Sequence, residues 1–192
     1  MPERARYDVE TMNAILDEAF VCRLATILDG TPIVVPTMFA RIGDVIYVHG
    51  STGSRMLQAL SEGAPACVEV TLLDGLVLAR SAMHHSMNYR SVIAYGTLEE
   101  VHGPEKMRAM EALIERIEPG RWMRVRRPNR KELAATKILS LVLTEASAKV
   151  RTGMPIEEPS DLELPVWAGV IPLVIARGAP VADDRGIEAL AR

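Results

Sequence analysis

Cysteine is nearly absent from this 192-residue chain, where only Cys22 and Cys67 occur. Two residues cannot staple a disulfide scaffold, and they lack metal-site spacing. Both fall in apolar stretches that read as strands, so buried, reduced thiols are expected. Aromatic residues make up 4% of the chain, too few for a base-stacking platform. Neither sign of charge dominates: 22 Lys+Arg against 25 Asp+Glu leave a formal net charge of −3. That balance gives no global reason to seek nucleic acid. No run approaches the ~18 apolar residues of a membrane helix, and the charged segment 1–10 lacks the apolar core of a secretory signal. A cytoplasmic protein with neither nucleic-acid nor membrane partners is expected. No Ser-His-Asp or Cys-His set stands in a recognisable context, so no protein-borne nucleophile is expected. What the chain does have is 48% hydrophobic content, enough to bury a core in one domain.

Val9, Met12, Leu16 and Phe20 recur at helical spacing behind Asp8, which predicts a capped amphipathic helix over 8–19. Cys22–Ile27 reads as a strand, and Asp29-Gly30 favours a tight primed turn. The next strand, Ile33–Ala40, is mostly apolar and is expected to be covered on both faces. A turn at Gly43-Asp44 leads to a strand at Val45–Val48, so the beginning is an antiparallel meander. Further strands are predicted around Val68–Leu72, Tyr89–Val101, Ile138–Val150 and, interrupted by Pro172, Val166–Ala176. Pro104 opens a helix with Met107, Met110, Leu113, Ile114 and Ile117 on one face; Pro119-Gly120 ends it. About six or seven strands with two or three helices predict one antiparallel α+β, mainly β, barrel-like domain.

The most informative segment is His49-Gly50-Ser51-Thr52-Gly53-Ser54-Arg55, between a strand and a short helix starting near Ser54. Glycines permit close backbone approach, hydroxyls and helix-start N–H groups can donate to an anion, and Arg55 offers a two-pronged cation. The segment is neither a Walker A loop nor a dinucleotide fingerprint. Read alone, it is equally a connection in which Ser54 caps the helix.

Four segments in order resemble the FMN-binding split-barrel family that includes the pyridoxamine 5′-phosphate oxidases, in the branch with nitroimidazole-resistance reductases. They are Cys22–Thr26 with Gly30-Thr31-Pro32, Tyr47–Gly50 with Ser54-Arg55, Asn88–Val92 with Tyr95-Gly96, and Val166–Pro172. The resemblance implies an antiparallel split β-barrel with flanking helices over 1–176, a flexible tail at 177–192, and a homodimer holding FMN at the subunit interface. It places Val35, Pro36, Thr37 and Met38 along the isoalloxazine ring and His49, Gly50, Ser54, Arg55 and Met56 at the phosphate. Arg90 and Ser91 would help neutralise that phosphate, and Trp167 would sit near the ring or the dimer seam. The implied function is FMN-dependent oxidoreduction of a small molecule by hydride transfer at flavin N5. A flavin-storing protein and a haem-binding member of the fold, with His49, His84 or His85 as ligand, are the alternatives. The oxidases' closing Arg- and His-containing segment has no counterpart after Trp167, where Arg177 and Arg185 stand alone, so vitamin B6 oxidation is not expected.

His84-His85 are adjacent, so on a strand they point apart and cannot chelate one ion; a turn or strand end is the expectation, and no metal site is expected. Arg121, Arg124, Arg126, Arg127, Arg130 and Lys131 form a basic cluster, either solvated surface or a reader of anionic groups. Lys149 and Arg151 alternate on a strand and can share a face.

Overall fold

The computed structural model describes residues 4–183, and the end of the expected tail, with Arg185, lies outside the described residues. Ten strands form one antiparallel sheet, in the order β1-β9-β6-β5-β2-β3-β4-β8-β7, with β10 pairing β5. The strands are β1 (Ala5–Arg6), β2 (Val21–Leu28), β3 (Thr31–Ile42), β4 (Val45–Ser51), β5 (Pro65–Leu78), β6 (Ser86–Thr97), β7 (Glu99–Glu100), β8 (Thr136–Val142), β9 (Glu145–Arg151) and β10 (Gly169–Pro172). The helices are α1 (Val9–Glu18), α2 (Arg55–Ser61), α3 (Gly103–Ile117) and α4 (Arg130–Ala135). This is the split barrel with flanking helices that the sequence leads one to expect.

Local signals act where predicted. The Asp8 carboxylate accepts from Thr11 N–H and caps α1, and Ser54 accepts from Leu57 N–H and caps α2. Asp29 and Gly30 both have positive φ, 52° and 76°, as a primed hairpin turn requires. α1 seats Met12, Ile15 and Leu16 in a core shared with Leu24, Phe39, Val48, Leu57, Leu60, Val68 and Leu139. Each fully buried aliphatic there contributes on the order of 1.5–3 kcal/mol relative to exposure.

Four expectations need correction. Ile138–Val150 is two strands: β8 pairs β4, β9 pairs β6, and the chain turns a corner at Leu143-Thr144 between the halves of the barrel. Tyr89–Val101 also breaks: β6 ends at Thr97, and Gly96, with φ 155°, lets Leu141 approach where a Cβ would stand 2.9 Å from its Cδ1. Of Val166–Ala176, only Gly169–Pro172 is strand, paired with Gly75–Leu78 of β5, and a single further bond, Leu173 N–H to Asp74 O at 3.0 Å, follows it. Finally, β3 is covered on both faces only at Phe39 and Ala40, and its first half is open: Val34 and Val35, which point opposite ways, are 60% and 42% exposed.

Candidate functional site

β3 and β4 build one half of the expected site. Their register runs from Ile42↔Val45 to Phe39↔Val48, and one further step sets Met38 beside His49. Val35, Pro36 and Thr37 precede Met38 on β3, where β2 is the paired neighbour. Pro36 is exposed, and Thr37 and Met38 are half-buried. His49 is half-buried with a buried Nδ1 that has no hydrogen-bond partner, and burial holds its pKa below the ordinary histidine value. Gly50 serves packing: a Cβ there would lie 2.6 Å from Leu57 Cδ1, so α2 needs a glycine to dock on β4.

The loop after Gly50 spends most of its donors on itself. Thr52 N–H donates to Ala135 O at 3.0 Å, Gly53 N–H to Ser51 Oγ at 3.1 Å, and Ser54 N–H to Ser51 O at 3.0 Å. The Arg55 guanidinium reaches Asp29 at the tip of the β2–β3 hairpin, at 2.6 Å. These residues, with Gln58 and Glu62, line an open cavity of about 350 Å³. It holds one cation against two carboxylates. The side chain of Met56 turns into the core, leaving only its main chain available to a phosphate.

The single chain does not bring Arg90, Ser91 and Trp167 to that loop. Arg90 and Ser91 lie on β6, four strands from β4 in the sheet order. Arg90 donates to both carboxylate oxygens of Asp74 (2.7 and 2.9 Å) and of Glu18 (2.5 and 2.8 Å). It therefore ties α1 to β5 beneath a cavity of about 490 Å³ bounded by Phe20, Leu72 and the segment Leu173–Ile175. Ser91 Oγ faces Lys149 O at 3.5 Å. Trp167, 62% exposed, lies against Gly169, two residues along the chain.

His84 and His85 stand at a strand end, as expected, in the 3-10 turn Ala82–His84 and just after it. His85 Nδ1 lies 3.0 Å from Ser81 O; His84 Nδ1 is buried without a partner. Arg151 is buried and donates to Asn88 Oδ1, whereas Lys149 is exposed above Tyr89, so the two do not form one anion site. Among the described residues no three His, Cys, Asp or Glu side chains form a metal-binding group, and no helix is long and apolar enough to cross a membrane. Burial pushes the Cys22 thiol up to about 12, which keeps it protonated and unreactive.

A comparison with the curated proteins finds no match. The family model described as pyridoxamine 5′-phosphate oxidase matches residues 8–150. Among solved structures, an FAD and heme binding protein from Mycobacterium smegmatis is 40% identical, with a TM-score of 0.92 over 95% of this chain and 90% of that one. The flavocytochrome Anf3 from Azotobacter vinelandii is 41% identical, with a TM-score of 0.91 over 96% and 86%. A Bacteroides thetaiotaomicron protein named for 5-nitroimidazole antibiotic resistance shares the fold at 20% identity and a TM-score of 0.65, over 76% and 86%. With sheet order, strand register and these matches in agreement, the chain belongs to the pyridoxamine 5′-phosphate oxidase-like family of FMN/FAD-binding split barrels.

Proposed function

We propose that this protein is a flavin-binding oxidoreductase acting on a small molecule, with the isoalloxazine ring against Val35, Pro36, Thr37 and Met38 and His49 at its edge. The observation that carries this reading is the pairing on β3 and β4 of an apolar strand whose first half is open with a buried, unpartnered imidazole nitrogen. A flat apolar ring edged by hydrogen-bonding atoms satisfies both features, and an orphaned polar atom otherwise costs about 1–3 kcal/mol. When bound, the flavin supplies hydride-level redox chemistry at N5. The chain's own task is to exclude water with Val35 and Met38 and to keep His49 neutral as a hydrogen-bonding partner.

FAD is the preferred flavin, in place of the FMN expected from the resemblance. A monoester phosphate carries nearly two charges, and each phosphate of a pyrophosphate carries one. The cavity beside Ser54 offers a single arginine, already shared with Asp29, and a second carboxylate in Glu62. The lower charge per phosphate suits it better, and the open rim leaves room for an adenosine. Two relatives of about the same identity, one named for FAD and heme and one a flavocytochrome, support this choice. A second copy of the chain is the proposed cover for the other face of β3, in a homodimer that brings Ser91 of one subunit toward the β4 loop of the other.

Haem binding is the second reading, and His85 is its best ligand. A ligating imidazole usually donates one ring N–H to a carbonyl and binds metal through the other nitrogen. His85 has Ser81 O at Nδ1, which leaves Nε2 free, and exposed Met83 and Trp167 offer apolar surface nearby.

The test is an absorption spectrum of the purified protein with chromatography of the released chromophore. Co-elution with FAD supports the reading; co-elution with FMN would put a monoester phosphate at the same Ser54-Arg55 loop and overturn the choice of FAD. A colourless protein that takes up neither flavin overturns it. Stable flavin without turnover of any electron acceptor would make it a flavin-storage protein. A Soret band lost in His85→Ala but kept in His84→Ala supports the haem reading.

A further inference from the structure

The charge of this chain is segregated. Residues 121–131 carry six Lys and Arg and no carboxylate, so the remaining chain holds 22 − 6 = 16 cations against 25 acids, a balance of −9. The segment has no regular structure before α4, yet it is held firmly. The Glu115 carboxylate accepts from Gly120 N–H and Trp122 N–H at 2.5 and 2.7 Å. Trp122 is buried beneath the Arg127 guanidinium, 4.1 Å above its ring. Arg126 pairs with Glu132, which also closes a capping box with Asn129 at the start of α4. Those contacts use two of the six cations. Arg121, Arg124, Arg130 and Lys131 are exposed and have no ion pair among the described residues. Met123, 78% exposed, stands among them.

The position of this face matters. The far end of α4 bonds the β4 loop, because Ala135 O accepts from Thr52 N–H and Thr52 Oγ at 3.0 and 3.3 Å. Arg130 and Lys131 therefore lie roughly 6–8 Å along the helix axis from the mouth of the flavin site. The chain also carries no dinucleotide fingerprint to recruit a nicotinamide cofactor.

We propose that the face formed by Arg121, Met123, Arg124, Arg130 and Lys131 docks a small acidic electron-carrier protein that reduces the flavin. The proposal rests on the flavin reading above. Two carriers, each oxidised by one electron, supply two electrons which, with two protons from water, convert the oxidised flavin to its dihydro form. A preorganised cationic patch with an exposed apolar residue, Met123, beside Arg124 and Arg127 fits a compact acidic surface, because opposite potentials steer encounter while the apolar contact adds residence. Duplex nucleic acid and an anionic bilayer are poorer fits. Both extend well past eleven residues onto a remaining chain whose balance is −9, and the segment's own tryptophan, Trp122, is buried.

The test measures binding of two acidic carriers, a plant-type ferredoxin and a flavodoxin, to the purified protein with and without added flavin, and then flavin reduction by the reduced carriers. Binding at about 50 mM salt should weaken about tenfold or more by about 250 mM. The charge-reversed variant Arg121→Glu/Arg124→Glu/Lys131→Glu should lose binding and slow reduction by about a hundredfold. Lys149→Glu, an exposed cation on β9, should stay within about twofold in the same assays. Chemical reduction by dithionite reads the cofactor alone. A protein that binds the carriers but takes up no flavin upholds the docking face and fails the flavin reading. The docking face is overturned if neither carrier binds, if the triple variant binds and is reduced at the parent rate, or if a duplex or anionic vesicles bind more tightly than both carriers.

Discussion

His49 and Arg90 show how burial and partners decide a residue's task. The imidazole of His49 is held below its ordinary pKa by burial, so the unfolded chain takes up a proton more readily than the folded one. The sign follows: stability is full above the unfolded value near 6.5 and declines as pH falls through the window beneath it. In the apoprotein, the urea midpoint should therefore drop between about pH 7.5 and 5.5, and His49→Gln should drop less. Equal slopes would mean that His49 is solvated in the folded state. Arg90, expected at the phosphate, is held within the chain by two carboxylates. Its bonds to Glu18 and Asp74 join residues 72 and 16 positions away, and both carboxylates would be left facing each other without it. Arg90→Gln should cost about 1–2 kcal/mol of stability, since the pairs are partly exposed, while the flavin dissociation constant of the folded variant stays within about twofold. A flavin affinity that collapses at unchanged stability would restore Arg90 to the phosphate.

Among the elements, β10 depends on a single glycine. β5 shifts register between Leu73 and Gly75, and β10 pairs the strand beyond that shift. A Cβ on Gly75 would stand 2.9 Å from Val170 Cγ1 and 3.1 Å from the backbone oxygen of Ile171. Backbone cannot step aside as a side chain can, so Gly75→Ala should cost about 1–3 kcal/mol. It should also speed hydrogen exchange at the amides of Gly169–Ile171; unchanged exchange there would show that β10 slides without loss. The same scale explains what the sequence makes legible. α1, α3 and the Asp29-Gly30 hairpin rest on caps, periodicity and turn residues within a few positions, and so does the adjacency of Met38 and His49, which follows from hairpin register. The corners at Gly96 and Leu143-Thr144 are invisible because polar-apolar alternation runs through them while the partner strand changes. α4 carries a local signal, the capping box of Asn129 with Glu132 after Pro128, set inside the basic cluster. The partners of Arg90 come from distant positions, and no local pattern encodes them.

At the scale of the whole molecule, the open strand β3 requires a cover that the chain does not supply. Val21, Ile27, Val34 and Leu73 are exposed on the strands β2, β3 and β5, which lie side by side in the sheet. Their register places them on one outward face, around the Arg23–Glu69 ion pair, and exposed apolar surface bordered by polar groups marks an interaction site. A two-fold dimer would cover it with its own copy, each subunit meeting the same patch on the other. In the proposed dimer, Ser91 and Trp167, which stand strands away from Ser54 and Arg55 within one chain, would approach them across the interface. Val34→Glu puts a charge at the centre of that surface while leaving the core untouched, since Val34 is 60% exposed. Sedimentation should find the variant monomeric at concentrations where the parent is dimeric. The monomer should keep its far-ultraviolet spectrum and lose bound flavin in proportion to the dimer lost. A flavin-saturated monomer would separate the two, leaving β3 and β4 of one chain as a sufficient site and the dimer as a feature of solubility alone.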